Sequence, residues 1–398
     1  MASSLRNSSF YERLGASASK GEVHRAIVSL PPSLYEGAFC RILPDLFAAD
    51  PAMCVISHCD GAGTKPIVAY LYYREKGDAS AMKGLATDAV VMNVDDMMCA
   101  GARGPFVLSN TILRNKHLIG EDAIRALVEG YVEFAAMIEK LGIVVHLAGG
   151  ETADMGDSVR TLCIEATVTC RMPRAHVIDN DRIAAGDVII GLSSEGTASY
   201  DSVPNSGIGC NGLSLARNRV LAKVYSARFP EICDPEAPSA LSYAGALSLD
   251  SPLPGSNFTV GQALLSPTRT YSPVIKAVLN EIGPDVHGLV HCTGGGQTKC
   301  IRFGRGIHFV KDNLFPAPAI FKYIRDCVQP HIPWREMYEV FNMGHRLEIV
   351  VPPQKAEAVR AISEGFGVAS QVIGHCEASP NSANSIAMHT PDGIERFD

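Results

Sequence analysis

A short glycine-containing stretch decides how the chain folds and where its site should lie: His58-Cys59-Asp60-Gly61-Ala62-Gly63-Thr64-Lys65. It follows the apolar run 53–56, which predicts a buried strand. Its two glycines permit a tight turn that can approach a bulky ligand. In that turn Asp60 suits a hard cation such as Mg²⁺, and Lys65 suits phosphate oxygens. The P-loop pattern is absent. The turn therefore predicts a metal–phosphate site, with a plain glycine-rich turn after a strand as the alternative.

Length and composition are those of a globular chain with room for two domains. The chain has 398 residues, of which 46% are apolar and 19% charged. A net charge of -7 argues against nucleic acid or an anionic membrane as the main partner. Residues 1–15 lack the apolar core of a signal peptide, and no run reaches the ~18 apolar residues that span a bilayer. The twelve cysteines form no Cys-x-x-Cys pair, so we expect a reduced, cytoplasmic protein.

Strand and helix signals alternate in the first half of the chain. The apolar patterns predict strands over 53–59, 106–113, 143–147 and 159–170, and helices over 83–99 and 121–141. The last of these strands alternates apolar and polar residues, so we expect a sheet with one exposed face. A proline and two arginines then interrupt the pattern, and a new strand begins at 187. We therefore predict an N-terminal domain over residues 1–172 and a C-terminal α/β domain over residues 173–398.

The second half repeats the alternation and adds two loops. Its predicted strands cover 187–192, 286–290, 346–351 and 371–374, and its predicted helices begin at 273 and cover 354–364. The Gly-, Ser- and Pro-rich segments 197–212 and 248–257 predict loops. The first is longer than most connections, which favours a functional lid or an insertion.

The predicted helix 83–99 carries three acids in an otherwise apolar, Met-rich sequence. Asp88 and Asp95 are seven residues apart and therefore share one helix face, whereas Asp96 lies on another. Buried carboxylates are costly without a cation or hydrogen-bond donors. We therefore predict that these three acids and Asp60 are metal ligands, with a solvated surface position for some of them as the alternative.

Three more motifs place polar groups at strand or helix ends: the segments 149–156, 266–271 and 291–296. The first places two acids beside glycines after a strand, where they could hold a second metal or a substrate amine or form a solvated turn. The second places Arg269 beside hydroxyls at a helix start, where it could bind phosphate, cap the helix or pair with an acid. The third begins with His291, a catalyst or a structural histidine, before three glycines that could wrap a phosphate.

Taken in order, these motifs resemble the aminoimidazole ribonucleotide synthetase (phosphoribosylformylglycinamidine cyclo-ligase) family over nearly the whole chain. The matching pieces are Asp-Gly-x-Gly-Thr-Lys from Asp60, Asp95-Asp96 with Gly101-Ala102, Gly149-Gly150-Glu151-Thr152-Ala153-Asp154-Met155, Ser266-Pro267-Thr268-Arg269 with Tyr271, and His291-x-Thr-Gly-Gly-Gly. Asp95 stands where the family has Asn, and Asp154 where it has Glu.

The resemblance implies two α/β domains, of which the first binds ATP and pairs across a homodimer to form a central β-barrel. It implies ATP-dependent closure of formylglycinamidine ribonucleotide to aminoimidazole ribonucleotide, with Mg²⁺ on Asp60 and Asp96. We predict Lys65, His291 and Asp60 as catalytic residues. The predicted ATP and substrate contacts come from the same motifs: Gly61, Gly63, Thr64, Lys65, Gly149, Gly150, Glu151, Thr268, Arg269, Gly294 and Gly295.

The chain departs from the family pattern at two places. The family's His-Ser-Asn-Gly is replaced by Gly209-Cys210-Asn211-Gly212, so its histidine is missing. The Glu-Asn that follows the family's triple glycine is replaced around Gln297-Thr298-Lys299-Cys300. These differences indicate a divergent branch.

Other enzymes of the same fold fit the sequence less well. Selenophosphate synthetase needs a reactive residue in an N-terminal loop, and residues 1–20 contain no cysteine. The hydrogenase-maturation dehydratase needs a C-terminal cysteine, and formylglycinamidine synthetase needs more length or a partner glutaminase. A thiamine-phosphate kinase, or a nucleotide-binding homologue without catalysis, remains an alternative.

Overall fold

The first sheet of the computed structural model, which describes residues 8–398, has five strands in the order β1-β2-β5-β3-β4. Only β3 and β4 run parallel, and the other neighbours are antiparallel. The strands are β1 (Leu43–Pro44), β2 (Met53–Gly61), β3 (Phe106–Arg114), β4 (Val145–Asp154) and β5 (Leu162–Pro173). The predicted polar segment 1–15 lies partly outside the described residues.

The second sheet has seven strands in the order β14-β13-β10-β12-β6-β11-β9, and β7 and β8 form a separate two-stranded ribbon. The strands are β6 (Val188–Ser193), β7 (Glu195–Gly196), β8 (Asn205–Ser206), β9 (Gly288–His291), β10 (Ile307–Lys311), β11 (His345–Val351), β12 (Ser370–Ala378), β13 (Ser385–Thr390) and β14 (Gly393–Phe397). The predicted loop 197–212 thus contains one strand of the ribbon. One sheet ends at Pro173 and the other begins at Val188, and the domain boundary at 172 stays a prediction.

Twelve α-helices lie within the described residues. They are α1 (Phe10–Arg13), α2 (Gly21–Ile27), α3 (Lys65–Lys76), α4 (Ala81–Cys99), α5 (Glu121–Glu139), α6 (Leu213–Val220), α7 (Val224–Arg228), α8 (Val260–Leu265), α9 (Ser272–Ile282), α10 (Ala319–Asp326), α11 (Trp334–Val340) and α12 (Ala356–Gly365). None of the helices in the described part of the chain is both long and apolar enough to cross a membrane.

Helix α4 lies between the two halves of the molecule. It packs on β2 and β5 of the first sheet and also contacts α9 and β9 of the second half. Every residue from Asp88 to Cys99 is buried, because the helix is covered on all sides. This burial explains why its sequence is apolar around the whole circumference rather than along one stripe.

The first sheet leaves one face open. Along β5 buried residues alternate with partly or fully exposed ones, which confirms the predicted exposed face. On this face Val107 of β3 is 46% exposed. Pairing of this face across a homodimer, as a shared barrel, stays a prediction.

Candidate active site

The turn from β2 to α3 places Asp60 and Thr64 at the edge of the first sheet. Gly61 ends the strand, and a Cβ there would lie 2.2 Å from the carbonyl oxygen of Ile164, so the close approach of β2 and β5 requires glycine. Gly63 has a φ of 56°, in the left-handed region that favours glycine. Asp60 Oδ1 accepts a hydrogen bond of 2.7 Å from the amide of Gly61. The turn therefore fixes one carboxylate oxygen and leaves the other available.

Asp96 reaches the same region from α4 and is held by a histidine. His291 Nδ1 lies 2.6 Å from Asp96 Oδ1, and Arg346 Nε donates to His291 Nε2 at 3.0 Å. Because the guanidinium only donates, His291 accepts at Nε2 and donates its Nδ1 hydrogen to Asp96. His58 Nε2 lies 3.7 Å from the other oxygen, Asp96 Oδ2. His291 is fully buried with both nitrogens engaged, which favours a structural, positioning role over the predicted catalytic one.

The two acids influence each other electrostatically. Burial and the charge of Asp96 raise the pKa of Asp60 above its usual range. Burial also opposes ionisation of Asp96, but the Lys299 charge and the His291 hydrogen bond outweigh it, so the pKa of Asp96 is lowered. Two carboxylates that interact, each with one oxygen not bound to a nearby donor, have the donor chemistry of a Mg²⁺ site.

A cavity of about 600 Å³ opens beside Asp60. Its walls combine the β2–α3 turn, the start of α6 and the glycines after β9. The residues that line it include Asp60, Gly61, Gly63, Thr64, Cys210, Gly212, Ser214, Arg217, Gly294 and Gly295. Six residues predicted from the sequence thus meet at one cavity: Asp60, Gly61, Gly63, Thr64, Gly294 and Gly295.

Cys210, at the position of the missing family motif, forms part of this wall. Its Sγ lies 3.9 Å from the carbonyl oxygen of Gly61. Burial, with a smaller effect from Asp88, raises the pKa of this thiol to about 12. Beside it, a Cβ on Gly209 would lie 3.1 Å from Arg346 Nη1. Arg346 therefore occupies the space next to the position where the family has histidine.

Lys65 does not face this cavity, which corrects its predicted phosphate contact. Its ammonium is buried, lies 3.0 Å from Asp88 Oδ1 and also donates to the carbonyl of Ser266. The backbone amide and hydroxyl of Thr268 donate to the same oxygen at 2.7 and 2.6 Å. Asp88 and Thr268, predicted as metal and substrate contacts, are thus part of a buried protein network. Asp88 Oδ2 is buried without a hydrogen-bond partner among the described residues.

Asp95 is likewise bound to protein rather than placed at the cavity. Its Oδ1 accepts from the hydroxyl of Thr270 at 2.7 Å and from that of Ser272, and its Oδ2 accepts from the amide of Tyr271 at 2.7 Å. The predicted set of four metal-binding acids therefore separates into two pairs. Asp60 lines the cavity and interacts with Asp96 through its charge, whereas Asp88 and Asp95 hold the segment 268–272 against α4.

Arg269 also corrects a prediction. Its guanidinium makes hydrogen bonds to Asp201 Oδ2 at 2.8 and 3.2 Å. It also donates to the carbonyl oxygens of Ser193, Glu195 and Gly196 at 2.7–3.2 Å. With these bonds the five N–H donors are occupied, and the side chain is buried. Arg269 therefore pairs with an acid, and it has no donor left to bind a phosphate.

The Gly149-Gly150-Glu151 motif does not form a turn after a strand. Strand β4 continues through it to Asp154, and Gly150 fits a close strand pair: a Cβ there would lie 1.6 Å from Asn110 Oδ1. All three residues are exposed on the edge strand and do not line the cavity. Asp154 pairs with Arg114 at 2.8 Å.

Four residues of the site were missed from the sequence: His58, Lys299, Arg346 and Arg217. His58 begins the turn 58–65, and Lys299 lies in the segment 297–300 that differs from the family pattern, so both had a local signal in the sequence. Lys299 Nζ lies 2.5 Å from Thr293 Oγ1 and packs over the Phe39 ring. Arg346 had none, since it reaches His291 from 55 residues along the chain.

Two other features could have competed for the site. A cavity of about 1230 Å³ near Tyr72, Phe258 and Tyr323 is larger but is lined by none of the predicted site residues. Within residues 8–398, the three-residue group spaced for a metal is Cys292, His345 and Glu348. Burial opposes ionisation of Glu348, but the Lys311 and His345 contacts outweigh it and lower its pKa to about 2. That carboxylate is therefore already neutralised by the protein.

Comparison with known families decides what kind of protein carries this cavity. Residues 42–172 match the N-terminal domain, and residues 184–384 the C-terminal domain, of the "AIR synthase related protein" family. The chain belongs to this family. The predicted family is thus confirmed, and so is the two-domain α/β fold.

Curated relatives agree with this assignment. The chain is 32% identical over 323 residues to a phosphoribosylformylglycinamidine cyclo-ligase of Methanococcus vannielii, covering 80% of this chain and 76% of the relative. It is 30% identical over 315 residues to the enzyme of the same name from Methanocaldococcus jannaschii, covering 79% and 76%. Both relatives are named as ligases.

Solved structures share the fold at low sequence identity. A Thermotoga maritima PurL complexed with FGAR aligns with a TM-score of 0.54 and 16% identity, covering 96% of this chain but about half (49%) of the longer PurL chain. A chain of the HypE–HypF complex aligns with a TM-score of 0.54 and 16% identity, covering 94% of this chain and 98% of that one. These likenesses concern the fold alone.

Proposed function

We propose that this chain is an aminoimidazole ribonucleotide synthetase, which uses ATP to close formylglycinamidine ribonucleotide into aminoimidazole ribonucleotide in purine biosynthesis. The observation that carries the proposal is Asp60 in the wall of the cavity, interacting with Asp96, in a chain 32% identical to a curated cyclo-ligase over 76% of that enzyme. Its co-substrate is ATP, its metal Mg²⁺, and its compartment the cytoplasm. Nucleic acid and membranes are not partners.

The reaction transfers the γ-phosphoryl group of ATP to the formyl oxygen of the substrate. The neighbouring nitrogen then attacks the formyl carbon, the C–O bond to the phosphoryl group breaks, and phosphate leaves as the ring closes. Such chemistry depends on positioning and charge neutralisation more than on covalent help from the protein. Mg²⁺, when bound, supplies that neutralisation next to the phosphates.

Different residues of the chain provide the positioning and the charge neutralisation. Asp60 and Asp96 supply the carboxylates for the metal, and His291 keeps Asp96 oriented through its 2.6 Å hydrogen bond. Lys299 adds a positive charge beside both acids. The backbone at Gly63 and Gly295, which have φ values of 56° and 94°, lets a ligand approach closely.

The proposal includes a homodimer. The open face of the first sheet carries half-exposed Val107, and the exposed Gly149-Gly150-Glu151 motif lies on the edge strand β4. Pairing of two such faces would cover Val107. A monomeric mass by light scattering at micromolar concentration, with full activity, contradicts this part of the proposal.

The deciding experiment is a turnover assay of the purified chain with ATP, Mg²⁺ and formylglycinamidine ribonucleotide. We expect ADP and aminoimidazole ribonucleotide to form in equal amounts, and EDTA to abolish both. ADP release with thiamine phosphate but not with the ribonucleotide would instead identify a kinase of the same fold. ATP binding with no turnover on any acceptor would identify a nucleotide-binding homologue without catalysis.

A further inference from the structure

One corner of the cavity is built by the start of helix α6. The helix begins at Leu213 after Gly212, which has a φ of 76° and provides no side-chain cap. A Cβ on Gly212 would lie 2.4 Å from the Phe341 ring, so the chain can enter the helix here only through glycine. The amides of the first turn have no acceptor within an α-helix, and both Leu213 and Ser214 line the cavity.

Arg217 lies one turn later on the same face as Ser214. It lines the cavity although the residue is only 6% exposed. Its Nη1 donates to Thr64 Oγ1 at 3.0 Å and to Ser214 Oγ at 3.2 Å. Its Nε is buried and has no hydrogen-bond partner among the described residues.

The charge of Arg217 is not matched by a carboxylate in the part of the chain that the structure describes. Glu231, which lines the same cavity, lies 3.7 Å from Arg74 and accepts a hydrogen bond from Tyr70. A buried guanidinium with neutral partners and a free donor is costly unless an anion completes its environment. The contrast with Arg269 is direct, since Arg269 has an acid partner and no donor to spare.

We propose that Thr64, Ser214, Arg217 and the first turn of α6 form a binding site for a phosphate group of a phosphorylated ligand. The helix N-terminus contributes amides and a favourable dipole, and the guanidinium contributes charge and a fork geometry. The hydroxyls of Thr64 and Ser214 lie 3.0 Å apart and share one hydrogen bond, so together they contribute one further donor. The identity of the ligand rests on the proposed function. The phosphate belongs either to the ribonucleotide substrate, as its 5′-phosphate, or to the triphosphate of ATP.

Calorimetric titration of the full chain tests the site without requiring turnover. The probes are ribose 5-phosphate and a non-hydrolysable ATP analogue with Mg²⁺. Arg217→Gln should weaken the binding of one probe by about tenfold or more, the scale of a lost charge-assisted contact, while Arg217→Lys recovers only part of the affinity because it lacks the fork. The matched control is Arg228→Gln, an exposed arginine of α7 that does not line the cavity.

The two probes distinguish the sources of the phosphate. Loss confined to ribose 5-phosphate assigns the site to the ribonucleotide, and loss confined to the ATP analogue assigns it to the nucleotide. If Arg217→Gln does not fold, Ser214→Ala takes its place, with a several-fold loss expected. Affinities within twofold of the wild type for both probes, or a wild-type chain that binds neither, overturn the proposal.

The same measurements separate this site from the proposed function. If phosphate binding depends on Arg217 but the chain does not close the imidazole ring, the phosphate site stands and the proposed function is wrong. If the Arg217→Gln variant closes the ring with unchanged kinetics, the proposed function stands and the phosphate site is wrong.

Discussion

Asp88 and Asp95 lie on one face of α4 and Asp96 on another, and the carboxylates on the two faces have different hydrogen-bond partners. Donors from Lys65 and from the segment 268–272 surround the first pair. Asp96 is instead held at one oxygen by His291, while its other oxygen lies 3.7 Å from His58, and its charge acts on Asp60.

The difference separates two uses of a buried acid. Asp95 accepts hydrogen bonds at both oxygens, and the charge of Asp88 is already neutralised by Lys65, so both acids join two parts of the chain. Asp96 has one oxygen oriented by His291 and interacts with Asp60, which lines the cavity, so this pair has the capacity to bind a metal. Substitutions on the first face should therefore change stability, and substitutions on the second should change turnover.

Asp96→Asn should have the largest effect. Asn keeps an oxygen that can accept the Nδ1 hydrogen of His291, so the fold should survive, but it removes a charge from the metal site. We expect turnover to fall by about a hundredfold or more, as for other lost transition-state electrostatic contacts. The measurement is kcat at saturating Mg²⁺ and ATP, with the unfolding midpoint recorded alongside.

The matched control for Asp96→Asn is Asp312→Asn, which removes an exposed acid outside the cavity. The control should keep wild-type kcat and stability. A near-normal kcat for Asp96→Asn at saturating Mg²⁺ contradicts its assignment as a metal ligand.

Asp88→Asn should have the next largest effect, on stability. It leaves the buried ammonium of Lys65 without its ion-pair partner, and breaking one side of such a pair costs roughly 3–5 kcal/mol. Urea unfolding should show this loss for Asp88→Asn and a similar one for Lys65→Met. The double variant should be less destabilised than the sum of the two, because the unpaired charges disappear together. Additive losses would mean that the two side chains act independently.

Local sequence predicted the elements of the fold better than the partners of individual side chains. Strand β2 and helix α4 were found from their apolar patterns, which reflect burial that each segment carries in its own residues. Strand β4 was cut short because Gly149 and Gly150 were interpreted as a break. Gly150 instead allows β4 to pass close to Asn110, a contact with a strand 40 residues away that no local pattern records.

The site was predicted where its geometry is local. The Asp60 turn positions its own carboxylate, so the motif alone located it. Lys65 comes only five residues later, but its direction is set by Asp88 and by the carbonyl of Ser266, 201 residues away. Arg269 and Arg217 differ in the same way: both are buried arginines, and only the folded chain shows that one has an acid partner.

Arg269→Lys should have a smaller effect than Asp88→Asn, again on stability. Lysine could keep the charge near Asp201, but it lacks the fork that reaches the carbonyls of Ser193, Glu195 and Gly196. We expect a loss of roughly 2 kcal/mol, the scale of one or two unpaired buried groups. Both KM values, for ATP and for the ribonucleotide, should stay within twofold. A KM for the ribonucleotide that rises alone would restore the phosphate role predicted from the sequence.

Asp95→Asn should have the smallest effect, although Asp95 is as buried as Asp96 and directly precedes it in sequence. The side chain of Asn can keep accepting from the amide of Tyr271, and the hydroxyls of Thr270 and Ser272 can rotate to accept from its NH₂ group. We expect less than about 1 kcal/mol of lost stability and an unchanged kcat. Asn is also the residue that the family pattern carries at this position. Measured beside Asp96→Asn, this variant makes the same chemical change at the neighbouring position on α4. If Asp95→Asn lowered kcat as much as Asp96→Asn at equal stability, both faces of α4 would serve the metal, and the separation of the two acid pairs would be wrong.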